Sequence, residues 1–288
     1  MRRLIINADD FGLTAGVNRA IVECHRAGSV ASATLMANSA EFARAVDLAR
    51  AHPKLGVGCH VTLVDGEPLS PAAQVGSLLL PGTQSFRLSA ADFARAAVRK
   101  QIAPQDIATE AAAQIRKLQD AGVKVTHIDT HKHTHIFPVA LQALLAVAKD
   151  LGISAIRNPF APLHVITKKT IAKQPALWLR YIQVKMLSRY APGFRRAVKD
   201  AGLRTTDGAF GVIATGILDE KLFHAILDSI PDGTWELVCH PGYNDESLQG
   251  VRTRLRESRV VERNVLTQPN LRDEFRQRGI ELISFADL

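Results

Sequence analysis

The chain alternates short apolar segments with amphipathic ones, and this alternation restricts the fold more than any other feature of the sequence. The segments predicted to be strands are Leu4–Ile6, Val30–Met36, Leu55–Leu63, Val123–Asp129, Ser154–Arg157, Trp235–Cys239 and Ile280–Phe285. The predicted helices are Thr14–Ala27, Ser39–Ala51, Pro104–Ala121, Pro138–Leu151 and Asp219–Ile230, with one more before Ile280. Strands separated by helices pair in parallel, so the sequence predicts an α/β fold.

About seven such strands favour an irregular, TIM-like (β/α) barrel, with a doubly wound open sheet as the alternative. The chain has 288 residues, a length at which α/β barrels are common as one unit, so we expect residues 1–288 to form one domain. Residues 65–101 are rich in Pro, Gly and Ser and predict a loop insertion beside the site. Residues 163–204 predict a basic helical insertion, broken at Pro175 and at Pro192-Gly193.

Composition excludes several classes of protein. Hydrophobic residues make up 47% of the chain and charged residues 22%, which is ordinary for a globular protein. The first apolar run is too short for a secretory signal, and no segment approaches the ~20 apolar residues of a membrane span. Cys24, Cys59 and Cys239 lie far apart, which argues against a disulfide framework and predicts buried free thiols. We expect a cytoplasmic protein.

The formal net charge of +8 is unevenly distributed. Residues 163–204 contain ten Lys or Arg and one acid, so ten minus one gives +9 for this segment alone. Its basic residues alternate with aromatic ones such as Trp178 and Tyr190. We expect a solvated helical face that covers the barrel or forms a homodimer contact, and no binding of nucleic acid. The alternative is a surface that admits an anionic or lipid-linked sugar, with peripheral contact to an anionic membrane.

The first candidate site residues, Asp9 and Asp10, follow the first predicted strand. The carboxyl ends of strands are where α/β folds place active sites. On a continuing strand the two carboxylates would face opposite sides, whereas a turn at Phe11-Gly12 can bring both towards one cavity. One carboxylate could then bind a cation while the other accepts a proton. The alternative is an Asx turn that caps the next helix.

Two histidines lie in or at the end of apolar strands. Gly56 and Gly58 precede His60 and leave room for another group to approach the strand closely. A single histidine in a strand is, however, often a core residue. His240 ends a strand immediately before Pro241-Gly242. That position suits either a general acid or a structural turn.

Four more histidines fall within residues 127–135, at positions 127, 131, 133 and 135. His127, Asp129 and His131 share a face if the strand continues, whereas His131 and His135 share a face if the chain turns helical. Imidazole is a common ligand for Zn and other transition metals, and a carboxylate such as Asp129 can hold the second ring nitrogen. The cluster predicts a metal or catalytic site, with a solvated polar loop as the alternative.

These candidates agree in position. Asp10, His60, His131 and His240 all fall at or near the ends of apolar strands. A parallel barrel brings those ends together on one face, where a metal-dependent hydrolase would keep its site.

Five motifs make the chain similar to the YdjC-like family of carbohydrate deacetylases, which includes chitooligosaccharide deacetylases and hopanoid-associated deacetylases. The motifs are NADDFG (7–12), GCHVTL (58–63), THIDTHKHTH (126–135), IRNPF (156–160) and CHPGY (239–243). The resemblance runs to about residue 160 and returns at residues 235–245, and residues 163–204 carry no motif of it.

The resemblance implies an irregular barrel that binds one divalent metal through Asp10, His60 and His131. It implies that Asp9 is the general base and that His240 is the acid that protonates the leaving amine.

Within the same motifs we expect Arg157 and Tyr243 to bind substrate. We expect Asp129 and His135 to support the metal ligands, with His135 the alternative to His131 as a ligand.

The implied function is hydrolysis of an N-acetyl group on an amino sugar or oligosaccharide by a metal-activated water. Mg or Zn is the expected metal, and Co, Mn or Ni would also suit the ligands. The alternatives are hydrolysis of another amide or ester, and a metal-dependent binding protein without turnover. Asp9 separates the last from the others, because a pure binding site needs no spare carboxylate beside its ligands.

Overall fold

A sheet of parallel strands lies at the centre of the computed structural model, which describes residues 1–160, 178, 181–182, 185–211 and 214–288. In chain order the strands are β1 (Arg2–Phe11), β2 (Ser32–Leu35), β3 (Gly56–Val61), β4 (Ile128–Thr130), β5 (Gly208–Phe210), β6 (Gly233–Cys239) and β7 (Ile280–Leu282). Their order across the sheet is β4-β3-β2-β1-β6-β5, and β7 pairs with the first residues of β1. These pairings are all parallel, as the alternation predicts.

Helices connect the strands and cover the sheet. They are α1 (Ala15–Ala27), α2 (Phe42–Ala51), α3 (Ala90–Val98), α4 (Pro104–Asp120), α5 (Pro138–Asp150), α6 (Ala191–Asp200), α7 (Glu220–Ser229), α8 (Glu246–Gln249), α9 (Glu257–Leu266) and α10 (Leu271–Gln277). The predicted helices are present because their ends carry clear signals. Thr14 caps α1 by accepting the N–H of Val17 at 3.2 Å, and Gly28 ends it with φ of 86°, a conformation that glycine adopts readily.

The strands differ from the prediction at one side of the sheet. Residues 154–157 form isolated bridges, Ile128 with Ile156 and Ala155 with Arg204, in place of the predicted strand. β5 was not predicted, because three residues beginning with glycine are too short to show a strand pattern. The result is an α/β fold with a curled half-barrel of parallel strands, and a full seven-stranded TIM-like barrel is not confirmed.

The insertion at residues 65–101 is more ordered than the predicted loop. It contains two 3-10 turns, Ala72–Gln74 and Gly76–Leu78, as well as α3. The buried carboxylate of Glu110 on α4 accepts the backbone N–H groups of Leu69 and Ser70, both at 2.9 Å. The insertion is therefore fixed to the body of the protein at its base.

Part of the basic insertion lies within the described residues. The break predicted at Pro192-Gly193 lies close to the start of α6, which follows a 3-10 turn, Ser188–Tyr190. Pro192 lies in the first turn of α6, where a helix needs no N–H donor. Pro175 lies outside the described residues. Phe194 of α6 is buried and packs against Phe160, with ring centroids 5.5 Å apart.

The two faces of β1 have different surroundings. Leu4, Ile6 and Ala8 belong to the large core under the helices, whereas Ile5 packs with Phe285 in a small cluster on the inner face of the curl. Side chains alternate along a strand, so the inner face continues from Ile5 to the polar residues at the carboxyl end. Within the described ranges, no helix combines the length and apolar character that crossing a membrane requires.

The three cysteines are buried and unpaired, as predicted. Cys59 and Cys239 belong to the large core and so face away from the histidines that follow them. Burial raises the pKa of both thiols well above their ordinary value. They are packing residues rather than candidate nucleophiles.

Candidate metal centre and active site

A β-bulge at the end of β1 brings Asp9 and Asp10 to the same side. Ala8 pairs with Ala33 and Phe11 with Leu35, so β1 has one residue more than β2 over this stretch. The extra residue is accommodated at Asp10, whose φ of 66° is in the left-handed region that Asp tolerates better than most residues. Both carboxylates are buried, with 2% and 3% of their residue surface exposed. The predicted turn is therefore a bulge within the strand.

His60 and Asp129 are direct partners in the parallel register of β3 and β4. Nδ1 of His60 lies 2.7 Å from Oδ1 of Asp129, and both side chains are buried. An ionised carboxylate at this distance holds the N–H on Nδ1, so Nε2 points away from it. Burial lowers the pKa of His60, but Asp129, Asp9 and Asp10 outweigh it and raise the pKa to about 9, so a cation at Nε2 would have to displace a proton. Asp129 is thus placed where it can orient the His60 ring.

Asp10, His60 and His131 direct one ligand atom each to a common point. Oδ1 of Asp10 lies 3.6 Å from Nε2 of His60 and 3.5 Å from Nδ1 of His131, and the two nitrogens are 3.3 Å apart. These separations are those expected around an ion bound tetrahedrally at roughly 2.0–2.2 Å from each atom. These three side chains could hold a metal ion.

The unused lone pairs support the same arrangement. Oδ1 of Asp10 is buried and has no hydrogen-bond partner among the described residues. A second group that could hold a metal, Asp9 with His60 and Asp129, is already engaged, because Arg157 contacts both carboxylates. An acceptor that nothing satisfies is costly unless a ligand completes it, so the residues present fit a bound cation at the first group.

Two adjacent residues hold His131 in place through a tight turn. Lys132 and His133 have φ of 56° and 55°, which is uncommon for residues other than glycine. The ammonium of Lys132 pairs with Asp65 of the insertion, and Asp65 also pairs with Arg252, which follows α8. This three-residue contact joins the segments that follow β3, β4 and β6 at the rim of the site.

Arg157 is completely buried and bridges three carboxylates. It makes two contacts with Asp9, at 2.6 and 2.9 Å, one with Asp129 at 2.5 Å, and its Nε donates to Glu236 at 2.8 Å. Its surface exposure is 0%. The side chain predicted to bind substrate is thus occupied by the protein's own acids.

The charges around the site hold both aspartates ionised. Burial raises the pKa of Asp9, but the ion pair with Arg157 and the nearby His60 and His240 rings outweigh it and hold the pKa well below its ordinary value. Burial also opposes ionisation of Asp10, and Arg259 with His131 keeps that pKa low. Asp10 is therefore available as an anionic ligand, and Asp9 is likewise an ionised carboxylate at neutral pH.

His240 lies next to Asp9 at the end of β6. Its Nε2 is 3.8 Å from Oδ2 of Asp9, and its backbone N–H donates to Glu262 at 2.6 Å. Burial lowers the pKa of His240 to about 4, because the low-dielectric surroundings disfavour the charged ring more than the aspartates favour it. The ring is neutral at pH 7 in the resting protein.

The chain is similar to known proteins along nearly its whole length. Residues 3–277 match the family described as YdjC-like protein. The chain belongs to the YdjC-like family. It is 33% identical to a carbohydrate deacetylase of Brevibacillus brevis over 99% of both chains. It is also 33% identical to a chitooligosaccharide deacetylase of Enterobacter sp. (strain 638), over 99% of this chain and 98% of the other.

A solved structure is also similar to this YdjC-like protein along almost its whole length. It is that of a proposed cellobiose-phosphate cleavage protein from Enterococcus faecalis V583, 26% identical in sequence. The TM-score is 0.78, and the similarity covers 99% of this chain and 98% of that one.

Two predicted site residues of this YdjC-like protein lie apart from the metal-ligand group. The Tyr243 ring lies between Arg19 and Arg263, with each guanidinium about 4 Å from its centre, and its hydroxyl donates to Glu23. Nδ1 of His135 lies 2.7 Å from Oγ1 of Thr130, whereas Nδ1 of His131 lies 3.5 Å from Oδ1 of Asp10. Substrate contact by Tyr243 has no support from this packing.

Sequence reasoning missed three residues that touch the site. Thr34 of β2 donates to Asp9 at 3.2 Å, Glu236 of β6 accepts from Arg157, and Arg259 of α9 donates to Asp10 at 2.5 Å. Only Glu236 left a signal in the sequence, as a single charge inside an apolar strand. Thr34 and Arg259 have residue types that are ordinary for their elements.

Proposed function

We propose that this protein is a metal-dependent hydrolase that removes N-acetyl groups from an acetylated amino sugar or oligosaccharide. One observation carries the proposal: a three-residue cation site, Asp10 with His60 and His131, lies beside an ionised carboxylate and a neutral imidazole. Three ligands leave positions open for water and substrate, as in catalytic rather than structural metal sites. The relatives named as carbohydrate and chitooligosaccharide deacetylases support the same reaction and substrate class.

The ligand set suits several divalent ions. Two imidazoles and one carboxylate fit Zn, Co, Mn or Ni, and Mg fits if waters complete an octahedron. When bound, such an ion would polarise the acetyl carbonyl and lower the pKa of water. Asp129 contributes by fixing His60, whose Nε2 then faces the common point.

Asp9 is the proposed base. It is ionised and buried, and Arg157 and Thr34 hold its two oxygens in a fixed orientation. It accepts one proton from the water whose oxygen bonds to the acetyl carbon. In this proposal Arg157 positions the base and does not contact the substrate.

His240 is the proposed acid, and its neutral resting state requires a proton source. Asp9 is that source, because its Oδ2 lies 3.8 Å from Nε2 of His240 and a small movement would bring the two into contact. The proton taken from water then passes through His240 to the nitrogen as the C–N bond breaks. The water's oxygen and its second hydrogen stay on the acetyl carbon as acetic acid, which ionises to acetate and releases that proton, and the other product is the free amine.

Several finer expectations are part of this proposal and rest on the sequence. These are location in the cytoplasm, assembly as a homodimer, the choice of Mg or Zn, and access of the sugar past residues 65–101 and 163–204. The curled sheet supports a barrel-like enclosure of the site, because residues 154–157 bridge β4 and Arg204.

The first prediction tests the reaction itself. Purified protein is assayed for acetate release from a panel of N-acetylated sugars, with and without a chelator and with Zn or Mg restored. We expect metal-dependent release, and we expect Asp9→Asn to lower kcat by about 10²–10⁴-fold, because the amide cannot accept the proton. Divalent-ion binding by Asp9→Asn, measured by calorimetry, should stay close to wild type, since Asp9 is not a ligand.

Asp47→Asn is the matched control, because Asp47 lies on the exposed side of α2 and its contact with Arg50 is 3.7 Å long. It should keep wild-type activity. Normal turnover by Asp9→Asn would refute Asp9 as the base. Metal binding without acetate release from any sugar would favour the binding-protein alternative, and release from other amides or esters alone would favour that class of hydrolase.

A further inference from the structure

Arg259 reaches the metal centre from α9, an element that carries none of the family motifs quoted above. The residue is 1% exposed, and its Nη2 donates to Oδ2 of Asp10 at 2.5 Å. Its Nε donates to the carbonyl of Leu255 at 3.2 Å. One oxygen of Asp10 is thus shared with a guanidinium while the other faces His60 and His131.

Packing fixes Arg259 in this position. A Cβ on Gly242 would lie 2.9 Å from Cδ and 3.2 Å from Cβ of Arg259, and the Gly242 N–H donates to the Arg259 carbonyl at 3.1 Å. The glycine of the CHPGY motif therefore leaves the space that the arginine stem fills. The backbone hydrogen bond holds the base of the Arg259 side chain beside the end of β6, and the Nε–Leu255 hydrogen bond orients its guanidinium.

The guanidinium of Arg259 has Asp10 as its ion-pair partner, and the buried acid Glu262 also lies within its field. Nη1 of Arg259 is buried and has no hydrogen-bond partner among the described residues. In the part of the chain that the structure describes, the ion pair it forms is with Asp10. Because the guanidinium already shares the negative charge of Asp10, it opposes a second cation at the other oxygen of the same carboxylate.

We propose that Arg259 weakens Asp10 as a metal ligand, so that a bound cation is held less tightly and withdraws electrons more strongly from the acetyl carbonyl. This inference rests on the proposed function. Asp129 does the opposite at His60, because a carboxylate behind an imidazole strengthens it as a donor. The centre thus combines one strengthened ligand with one weakened ligand, and activity gains from the weakened one.

The test compares cation affinity with turnover in Arg259→Met, which removes the charge and keeps an unbranched side chain. Zn²⁺ and Co²⁺ affinities are measured at pH 8 without substrate, by competition with a chromophoric chelator. We expect Arg259→Met to bind both ions about 10-fold more tightly and to lose about 10- to 100-fold in kcat for acetate release. Opposite changes in affinity and kcat are the signature, because a merely structural arginine would lower both.

Two further variants keep the test decisive. Arg259→Lys retains the charge and should stay close to wild type in cation affinity. Arg259→Gln can still donate to Asp10 but carries no charge, and it should repeat the Met result if the Met variant does not fold. Arg254→Met, which changes an exposed arginine five residues earlier, is the matched control and should alter neither quantity.

The outcomes separate the inference from the proposed function. Weaker cation binding in Arg259→Met or Arg259→Gln, with wild-type melting temperature, overturns the inference and leaves the proposed function standing. A Lys variant that behaves like the Met variant also overturns it, since charge would then not be the cause. A wild-type protein that binds no divalent ion refutes the proposed function first.

Discussion

Arg157 sets the balance of charge beneath the candidate site. One guanidinium faces the carboxylates of Asp9, Asp129 and Glu236. None of these four residues is more than 2% exposed. Burial raises the pKa of Glu236 to about 7, and Asp9 and Asp129 push in the same direction while Arg157 opposes them. Three buried acids thus share one buried cation. Removing such a cation leaves buried anions without compensation.

A prediction about stability follows from the presence of one buried cation among three buried acids. Arg157→Met should lower the free energy of unfolding by about 3–5 kcal/mol, the usual loss when one partner of a buried ion pair is removed. Arg157→Lys should recover little, because a single ammonium cannot bridge carboxylates that now bind three different nitrogens. Urea unfolding at pH 7.5 measures both.

Arg196→Met is the control for Arg157. Its ion pair with Asp200 on α6 is 3.8 Å long and its side chain is 85% exposed, so its loss should change stability by less than about 1 kcal/mol. An Arg157→Met variant as stable as this control would show that the buried charges rearrange or take up protons at little cost.

The candidate site residues that could be predicted from the sequence are those at the ends of parallel strands. Asp9, Asp10, His60 and His131 each sit at or near the end of a strand, and parallel pairing is enough to place them on one face. Arg259 could not be foreseen, because its partner Asp10 is 249 positions away and nothing in α9 marks the arginine. Its role depends on how that helix packs against the sheet, which residue types alone do not specify.

Among the elements, β3 shows how closely the chain segments approach one another. A Cβ on Gly58 would lie 2.5 Å from Cε1 of His127 and 2.7 Å from the His127 carbonyl oxygen. The His127 ring is itself stacked on Phe285, with centroids 3.8 Å apart, so Phe285 restrains its movement away from Gly58. The sequence suggested that Gly58 makes room for His60, but the structure shows that it makes room for His127.

A further prediction concerns this close approach at Gly58. Gly58→Ala should destabilise the protein by about 1–3 kcal/mol, because the added methyl overlaps a backbone oxygen that cannot relax. Thermal unfolding measures the change. Gly76→Ala is the matched control, since nothing lies within 4 Å of its added methyl and its backbone needs no positive φ. Equal melting temperatures for the two variants would contradict the close approach.

Helices were easier to predict than strands because their signals are local. Thr14 and Gly28 mark the ends of α1 through hydrogen bonds within a few residues. β4 and β5 have three residues each, and their limits depend on which distant backbone they face. Residues 123–127 look like a strand in sequence, yet β4 begins only at Ile128. Strands this short show no alternation of apolar and polar residues in the sequence from which their limits could be predicted.

At the scale of the whole molecule, the uneven charge coincides with exposed apolar side chains. Trp178, Met186 and Tyr190 are 53%, 56% and 46% exposed. They belong to residues 163–204, whose ten basic residues and one acid give +9. Large apolar groups left at a surface are typical of an interaction site, and a homodimer would bring two copies of the same basic face together.

The sign of the salt dependence distinguishes the two partners considered for this face. Two like-charged faces repel, so homodimer formation should strengthen as salt screens the charges, whereas binding to an anionic membrane should weaken. We expect the first result: sedimentation equilibrium should give tighter association at about 500 mM than at about 50 mM salt. Met186→Gln should weaken the dimer, and Val98→Gln, at an 82% exposed position on α3, should not. A monomer under both conditions, or binding to anionic vesicles that salt abolishes, would instead assign the face to the membrane alternative or to solvent.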